Sequence, residues 1–228
     1  MICLLLLLVV VAVVIAALIR ANPQSRARAV ERHARLCGLY FAPEETPAIG
    51  FARLANLPLL RSFDNSYRGY NFVWGEHAGR QVMLFEYRFT CPPELAKALG
   101  RNSGGNEHAC CVWPLPAPLP MVSLYARQVD EKVTGFAAAE DRPTGDAEFD
   151  AAYYVHAASP EAVQRVLTAD LRNFIQCERI PFFEVEGSLA LLYLRKTLTP
   201  DRLDELLRNS DIINEALVRA ATELQRNG

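Results

Sequence analysis

His108, Cys110 and Cys111 lie within four residues of one another, and Cys91 can join them if it falls on a neighbouring strand. Imidazole and thiolate are donors that suit zinc. Adjacent residues on a strand point to opposite faces, so Cys110 and Cys111 are not expected to share an ion. One of them is expected in the core and the other on the second face. His33 and Cys37 are spaced i,i+4, which places them on one side of a helix as half of a metal site, two ligands short. A nucleophilic cysteine needs a base and an electropositive pocket, and His108 beside Cys110 is the local pair of that kind. Glu184 and Glu186 share one face of a strand and read as a solvated face opposite Phe183 and Val185. The acids Glu140, Asp141, Asp146, Glu148 and Asp150 lack the spacing of a calcium loop and read as a solvated turn region.

No phosphate-binding G-x-x-x-x-G-K-[ST] loop occurs, nor a G-x-S-x-G elbow, nor H-E-x-x-H or C-x-x-C. The sequence therefore assigns no catalytic, cofactor-binding or metal-ligating residue, and no cofactor is expected. The chain carries 24 Lys and Arg against 26 Asp and Glu, a net charge of -2. That balance offers no field to draw in nucleic acid, and none is expected as a partner. Apolar residues make up 51% and charged residues 22% of the 228, which is globular composition.

Ile2 to Ile19 is free of charge, Gly and Pro, and Leu, Ile or Val fill 14 of its 18 positions. As a helix this run spans about 27 Å, close to the bilayer's hydrocarbon thickness of about 30 Å. Insertion is favourable by roughly 4–8 kcal/mol. No Lys or Arg precedes the run and Arg20 follows it, which favours a retained anchor over a cleaved signal peptide. Arg20, Arg26, Arg28, Arg32 and Arg35 follow against Glu31 alone, so the N-terminus is expected outside and the domain in the cytoplasm, at the inner membrane. The expected division is 1–20 transmembrane anchor in contact with the lipid bilayer through residues 2–19, 21–38 basic juxtamembrane helix, and 39–228 α+β globular domain. Six scattered cysteines and the lack of an N-x-[ST] sequon fit a reducing interior.

The elements that must position these residues follow from periodicity and punctuation. Asn22-Pro23 opens the basic helix and Gly38 closes it. Residues 39–41 read as a strand and 48–57 as a short helix. Tyr70, Phe72 and Trp74 alternate on one strand, Glu76 to Gly79 turns, and Met83, Phe85, Tyr87 and Phe89 alternate on the return strand. Together these aromatics are expected to form the main core. A strand near 108–113 precedes the Pro114–Pro120 run, which reads either as a polyproline recognition segment or, given its leucines, as an edge connection packed on the domain. Further strands are expected at 121–126 and 132–137, and from Phe149 to His156. Ser159-Pro160 caps a helix whose buried face carries Ala162, Val163, Val166, Leu167, Leu171, Phe174 and Ile175. Pro181 to Leu194 reads as a second hairpin turning at Gly187. Thr199-Pro200 opens a final helical region, with Asn209-Ser210 expected to split it in two. Strand pairs followed by helices indicate α+β: an antiparallel-sheet domain with helices collected toward the C-terminus, behind an N-terminal transmembrane helix.

Three segments, in this order, resemble bacterial single-pass membrane-anchored proteins of unknown function: Asn71–Tyr87, Val112–Pro120 and Glu148–Val155, the last followed by Ser159-Pro160-Glu161-Ala162 and Val166-Leu167. The likeness extends over roughly residues 30–220. It implies an N-terminal anchor plus one cytoplasmic α+β domain and supplies no catalytic residue. Lacking common catalytic patterns and carrying an anchor, the chain reads first as a membrane-tethered interaction or regulatory module. The alternatives are a membrane-tethered enzyme with a site assembled from sequence-distant residues, and a cysteine- or metal-dependent sensor.

Overall fold

A computed structural model describes residues 23–44, 67–89, 106–127, 141–194 and 196–227. Helix α1 (Pro23–Leu36) starts on a proline and ends at Gly38, whose φ of +74° reverses the chain so that Leu39 N–H reaches Ala34 O at 2.8 Å. Val30 and Ala34 face inward and are fully buried, so this basic helix is part of the packed core. Strand β1 (Tyr40–Glu44) follows and pairs with β2 (Tyr67–His77), placing Phe41 opposite Val73. The Ala78-Gly79 turn returns the chain into β3 (Arg80–Phe89).

The β2–β3 hairpin is present, but one residue breaks the expected alternation. Tyr70 pairs with Glu86 and Val73 with Leu84, so Asn71 and Phe72 together oppose Phe85. This is a bulge, with Asn71 at φ +51°. Phe72 stacks on Phe85 at 5.7 Å, whereas Tyr70 lies on the other face with Glu86 and Leu84. The main core is built from Val73, Val82 and Leu84, on the face opposite Phe72, Trp74, Met83, Phe85 and Tyr87. The expectation that the aromatic set forms the main core is thus corrected. Phe72, Phe85 and Tyr87 are themselves buried, so the sheet is apolar on both faces here.

Strand β4 (Asn106–Ala126) is one element of 21 residues, where two strands and a connection were expected. Its first part pairs with β3 and its last part with β5 (Tyr153–Ala157), while β6 (Phe182–Leu194) runs along its other edge. The proline run is a hinge within this one strand rather than a separate connection. Leu115, Ala117 and Leu119 are buried while Pro114, Pro116 and Pro118 are exposed. The prolines are tolerated because ladder pairing lapses there: between Pro114 and Leu119 β4 advances five residues while β6 advances from Leu189 to Gly187.

Strand β6 is likewise one bent strand, which corrects the expected hairpin. Gly187, at φ +57°, absorbs the kink where β4 bulges, and pairing continues from Phe182 opposite Tyr125 to Leu194 opposite Ala109. The sheet has six antiparallel strands in the order β1-β2-β3-β4-β5, with β6 on β4.

The expected strand at Phe149–His156 begins four residues later, at Tyr153. Asp146 accepts the Phe149 N–H and caps a short helix, α2 (Ala147–Ala152), ahead of it. Helix α3 (Pro160–Val166) is capped by Ser159 as read. The chain then breaks at Leu167, and Thr168 caps α4 (Ala169–Cys177), so one expected helix is two. The buried face expected of them is present, with Phe174 half-buried. Helix α5 (Pro200–Asn227) runs unbroken for 28 residues through Asn209-Ser210, where a break was expected. Ser210 donates its hydroxyl to Leu207 O at 2.8 Å, a bond compatible with the helix.

Helices α1, α3, α4 and α5 cover the Val73–Leu84 face of the sheet. The architecture is α+β, with an antiparallel sheet and most of its helical residues toward the C-terminus. Among the described residues no helix is long and apolar enough to cross a membrane. The expected anchor at 1–20, the helix at 48–57, the strand at 132–137 and Cys91 lie outside the described residues.

Candidate functional site

Polar groups from sequence-distant elements converge at two places on the seam between the sheet and the helices. The first is built on Glu86, whose carboxylate is fully buried under α1. The bulge at Asn71 turns that side chain inward, and its amide donates to Glu86 Oε2. Arg26 of α1 lies 3.3 Å from Oε1. The backbone N–H of Leu198, just ahead of α5, donates to Oε1 at 2.8 Å. One carboxylate therefore ties the basic helix, the hairpin and the start of α5 together. A buried charge is tolerable only when satisfied in this way.

The second sits at the tip of the hairpin, against the middle of α5. Arg80 pairs with Asp211 and donates to Ser210 Oγ at 2.8 Å, while its guanidinium lies 5.2 Å from the Trp113 ring centroid. His77 Nε2 lies 3.0 Å from Asp211 Oδ2. Cys111 faces the same group from β4, and burial pushes its thiol up to about 12, against smaller opposing effects of Arg80 and Ser210. His, Asp, Ser and Cys together suggest nucleophilic chemistry, but their wiring does not supply it. Ser210 gives its proton to Leu207 O, and Cys111 is a protonated core thiol. The geometry is that of a latch between hairpin and helix. Asn209 beside it is fully buried, with neither Nδ2 nor Oδ1 hydrogen-bonded among the described residues.

The cysteines singled out in the sequence separate as their adjacency requires. Cys111 pairs with Leu84 and Leu192 in the main core, and Cys110 with Phe85 and Tyr193 on the second face. Both are buried, and burial followed by the neighbouring Cys111 holds the Cys110 thiol well above its ordinary range. His108 shares the Cys110 face and packs edge-on against Tyr193 at 4.9 Å. These residues are packing groups rather than an activated pair. Glu184, expected in solvent, is fully buried in the row of Ser123 and His156, and Glu186 is half-buried. The acidic turn is likewise structural. Asp141 pairs with Arg127 at 2.5 Å, Asp146 caps α2, and Asp150 accepts from the Thr144 N–H and hydroxyl, each at 2.8 Å.

His33 and Cys37 do share a helix face, and the structure adds a residue the sequence could not: Asp204 of α5, whose Oδ1 lies 2.7 Å from His33 Nε2. Nothing in the spacing of residues 33 and 204 announces this contact. Only the packing of α1 on α5 creates it.

No protein-family model matches the chain, and no curated protein sequence matches it. Among solved structures, the fold is similar to that of the mycobacterial trehalose monomycolate transport factor A, TtfA, with a TM-score of 0.60 and 14% sequence identity. The match covers 84% of this chain and 93% of the other. At that identity the likeness is one of fold.

Proposed function

We propose that the chain is a membrane-tethered docking module that serves a transport process and performs no bond-making chemistry of its own. The observation that carries this reading is the Arg26–Glu86–Leu198 connection. If residues 2–19 span the bilayer, three residues separate them from α1, and α1 is fixed to the sheet through a buried carboxylate. Such a helix is a rigid mount rather than a loose linker, and it presents exposed Arg28, Arg32 and Arg35 beside the bilayer. Each arginine near anionic headgroups is worth about 1 kcal/mol. The wiring of the His77–Arg80–Asp211 group into a latch favours docking over catalysis. The fold it shares with a protein named as a transport factor supplies the transport context. In this reading the N-terminus is outside and the domain faces the cytoplasm at the inner membrane.

Proximity labelling with the intact chain in its native membrane tests the proposal. Labelling of an integral transport protein, lost when residues 2–19 are replaced by a polar sequence, is the expected result. An identical labelled set without the apolar segment would overturn it, as would reporter fusions that place residues 30–228 outside the cytoplasm.

A further inference from the structure

We propose that His33, Cys37 and Asp204 form a zinc site that clips α1 to α5. One ligand atom from each of the three lies within 4.8 Å of the other two. Among the described residues this is the one group of His, Cys, Asp and Glu drawn together so closely. Zinc bonds of about 2.0–2.3 Å set tetrahedral ligand separations near 3.3–3.8 Å, so small rotamer adjustments close the site. The backbone is already arranged for it. The Cys37 N–H donates to His33 O at 3.0 Å, so the helical turn continues past Leu36 and holds both side chains on one side of α1. Asp204 arrives from the first turns of α5 on the facing side, with Oδ1 2.7 Å from His33 Nε2.

The donor set selects the metal. Thiolate, imidazole and carboxylate suit zinc, whereas calcium and magnesium take oxygen ligands. One thiolate and one carboxylate neutralise a divalent ion, with neutral imidazole as third ligand. Binding forms Zn–S, Zn–N and Zn–O bonds, the Cys37 thiol proton leaves to solvent, and the His33–Asp204 hydrogen bond is given up, the imidazole keeping its proton on the nitrogen that does not ligate. Water fills the fourth position. Access is open, since the side chains of His33 and Asp204 are 28% and 56% exposed and Cys37 is exposed. The exposed Cys177 has no such neighbours among the described residues. The inference is independent of the docking role: a metal at this position ties together two helices whichever partner the module meets.

The experiment is cobalt titration of the reduced, metal-free, full-length chain in detergent micelles. We expect thiolate-to-cobalt charge-transfer absorption that saturates at one ion per chain and is erased by added zinc. Cys37→Ser should abolish that band, Asp204→Asn and His33→Gln should each weaken binding at least about tenfold, and Cys177→Ser should leave it unchanged. Should a variant fail to fold, zinc protection of Cys37 from alkylation in the unaltered chain reads out the same site. A band that survives Cys37→Ser, unchanged affinity in Asp204→Asn, no saturable cobalt band in the unaltered chain, or alkylation of Cys37 at the same rate with and without zinc would each overturn the proposal.

Discussion

Glu86 of the hairpin accepts the backbone N–H of Leu198 at 2.8 Å, across 112 residues of chain. The same carboxylate takes Arg26 and Asn71, so its removal strands three donors at once. Glu86→Ala is expected to cost about 3–5 kcal/mol, the range for breaking a buried pair from one side. Arg26→Met should cost clearly less, because the Glu86 carboxylate keeps Asn71 and Leu198 and the Met stem replaces the arginine's packing. Urea unfolding of the two variants measures the asymmetry, and equal losses would mean that Arg26 is the main stabilising partner.

Gly75 and Gly79 both carry positive φ, +150° and +76°, but their surroundings differ. A Cβ at Gly75 would come within 3.1 Å of Leu39 Cδ2 and 3.6 Å of Leu39 Cα, whereas one at Gly79 meets nothing within 4 Å. Gly75→Ala should therefore cost about 1–3 kcal/mol, by strain and by pushing β1 off β2. Gly79→Asn should change stability by less than about 1 kcal/mol, since Asn accepts this backbone conformation. Thermal unfolding midpoints distinguish the two.

The buried thiols predict an alkaline limit to stability. In the unfolded chain a cysteine ionises near its ordinary value of 9.0, while burial pushes Cys111 up to about 12 and Cys110 upward as well. Between those values the unfolded state sheds protons that the folded state keeps. Their contribution is thus fully present below pH 9 and fades as pH rises toward 12. A Cys110→Ala/Cys111→Ala double variant should show a shallower fall in stability over that window, followed by denaturant unfolding at successive pH values. A slope identical to that of the unaltered chain would assign the alkaline loss to other groups.

Asn209 is fully buried in α5 with its amide unpartnered among the described residues. An unsatisfied polar group of this kind costs about 1–3 kcal/mol. Asn209→Leu is expected to raise the unfolding free energy by about 1 kcal/mol or more, measured by chemical denaturation. A loss of stability would show instead that the amide is satisfied by ordered water.

Local signals carried much of the fold and little of the wiring. Ser159-Pro160 and Thr199-Pro200 start helices because a cap and a fixed proline φ act within one turn. The β2–β3 hairpin follows from alternation around Gly79. Gly187 misled because a left-handed glycine serves a tight turn and a strand kink equally well, and only the bulge in β4 decides between them. Asn209-Ser210 looked like a helix break because both residues bond to local backbone elsewhere, whereas here tertiary packing holds the helix through them. The proline run gave no sign of continuing a strand because proline cannot donate to a ladder. The residues that meet at Glu86, at Arg80 and at His33 come from several elements or from opposite ends of the chain, and no spacing rule reports such meetings.

The kinked middle of β4 also governs what can add to this sheet. Between Val112 and Val122 no described strand pairs with β4 on the side shared by β3 and β5. Four prolines at every second position in that stretch lack the amide hydrogen that an incoming strand would need. A visiting peptide would find fewer donors to pair with along that stretch. Among the described residues β1, β5 and β6 each pair on one side only, so recruitment by backbone pairing would fall to those margins.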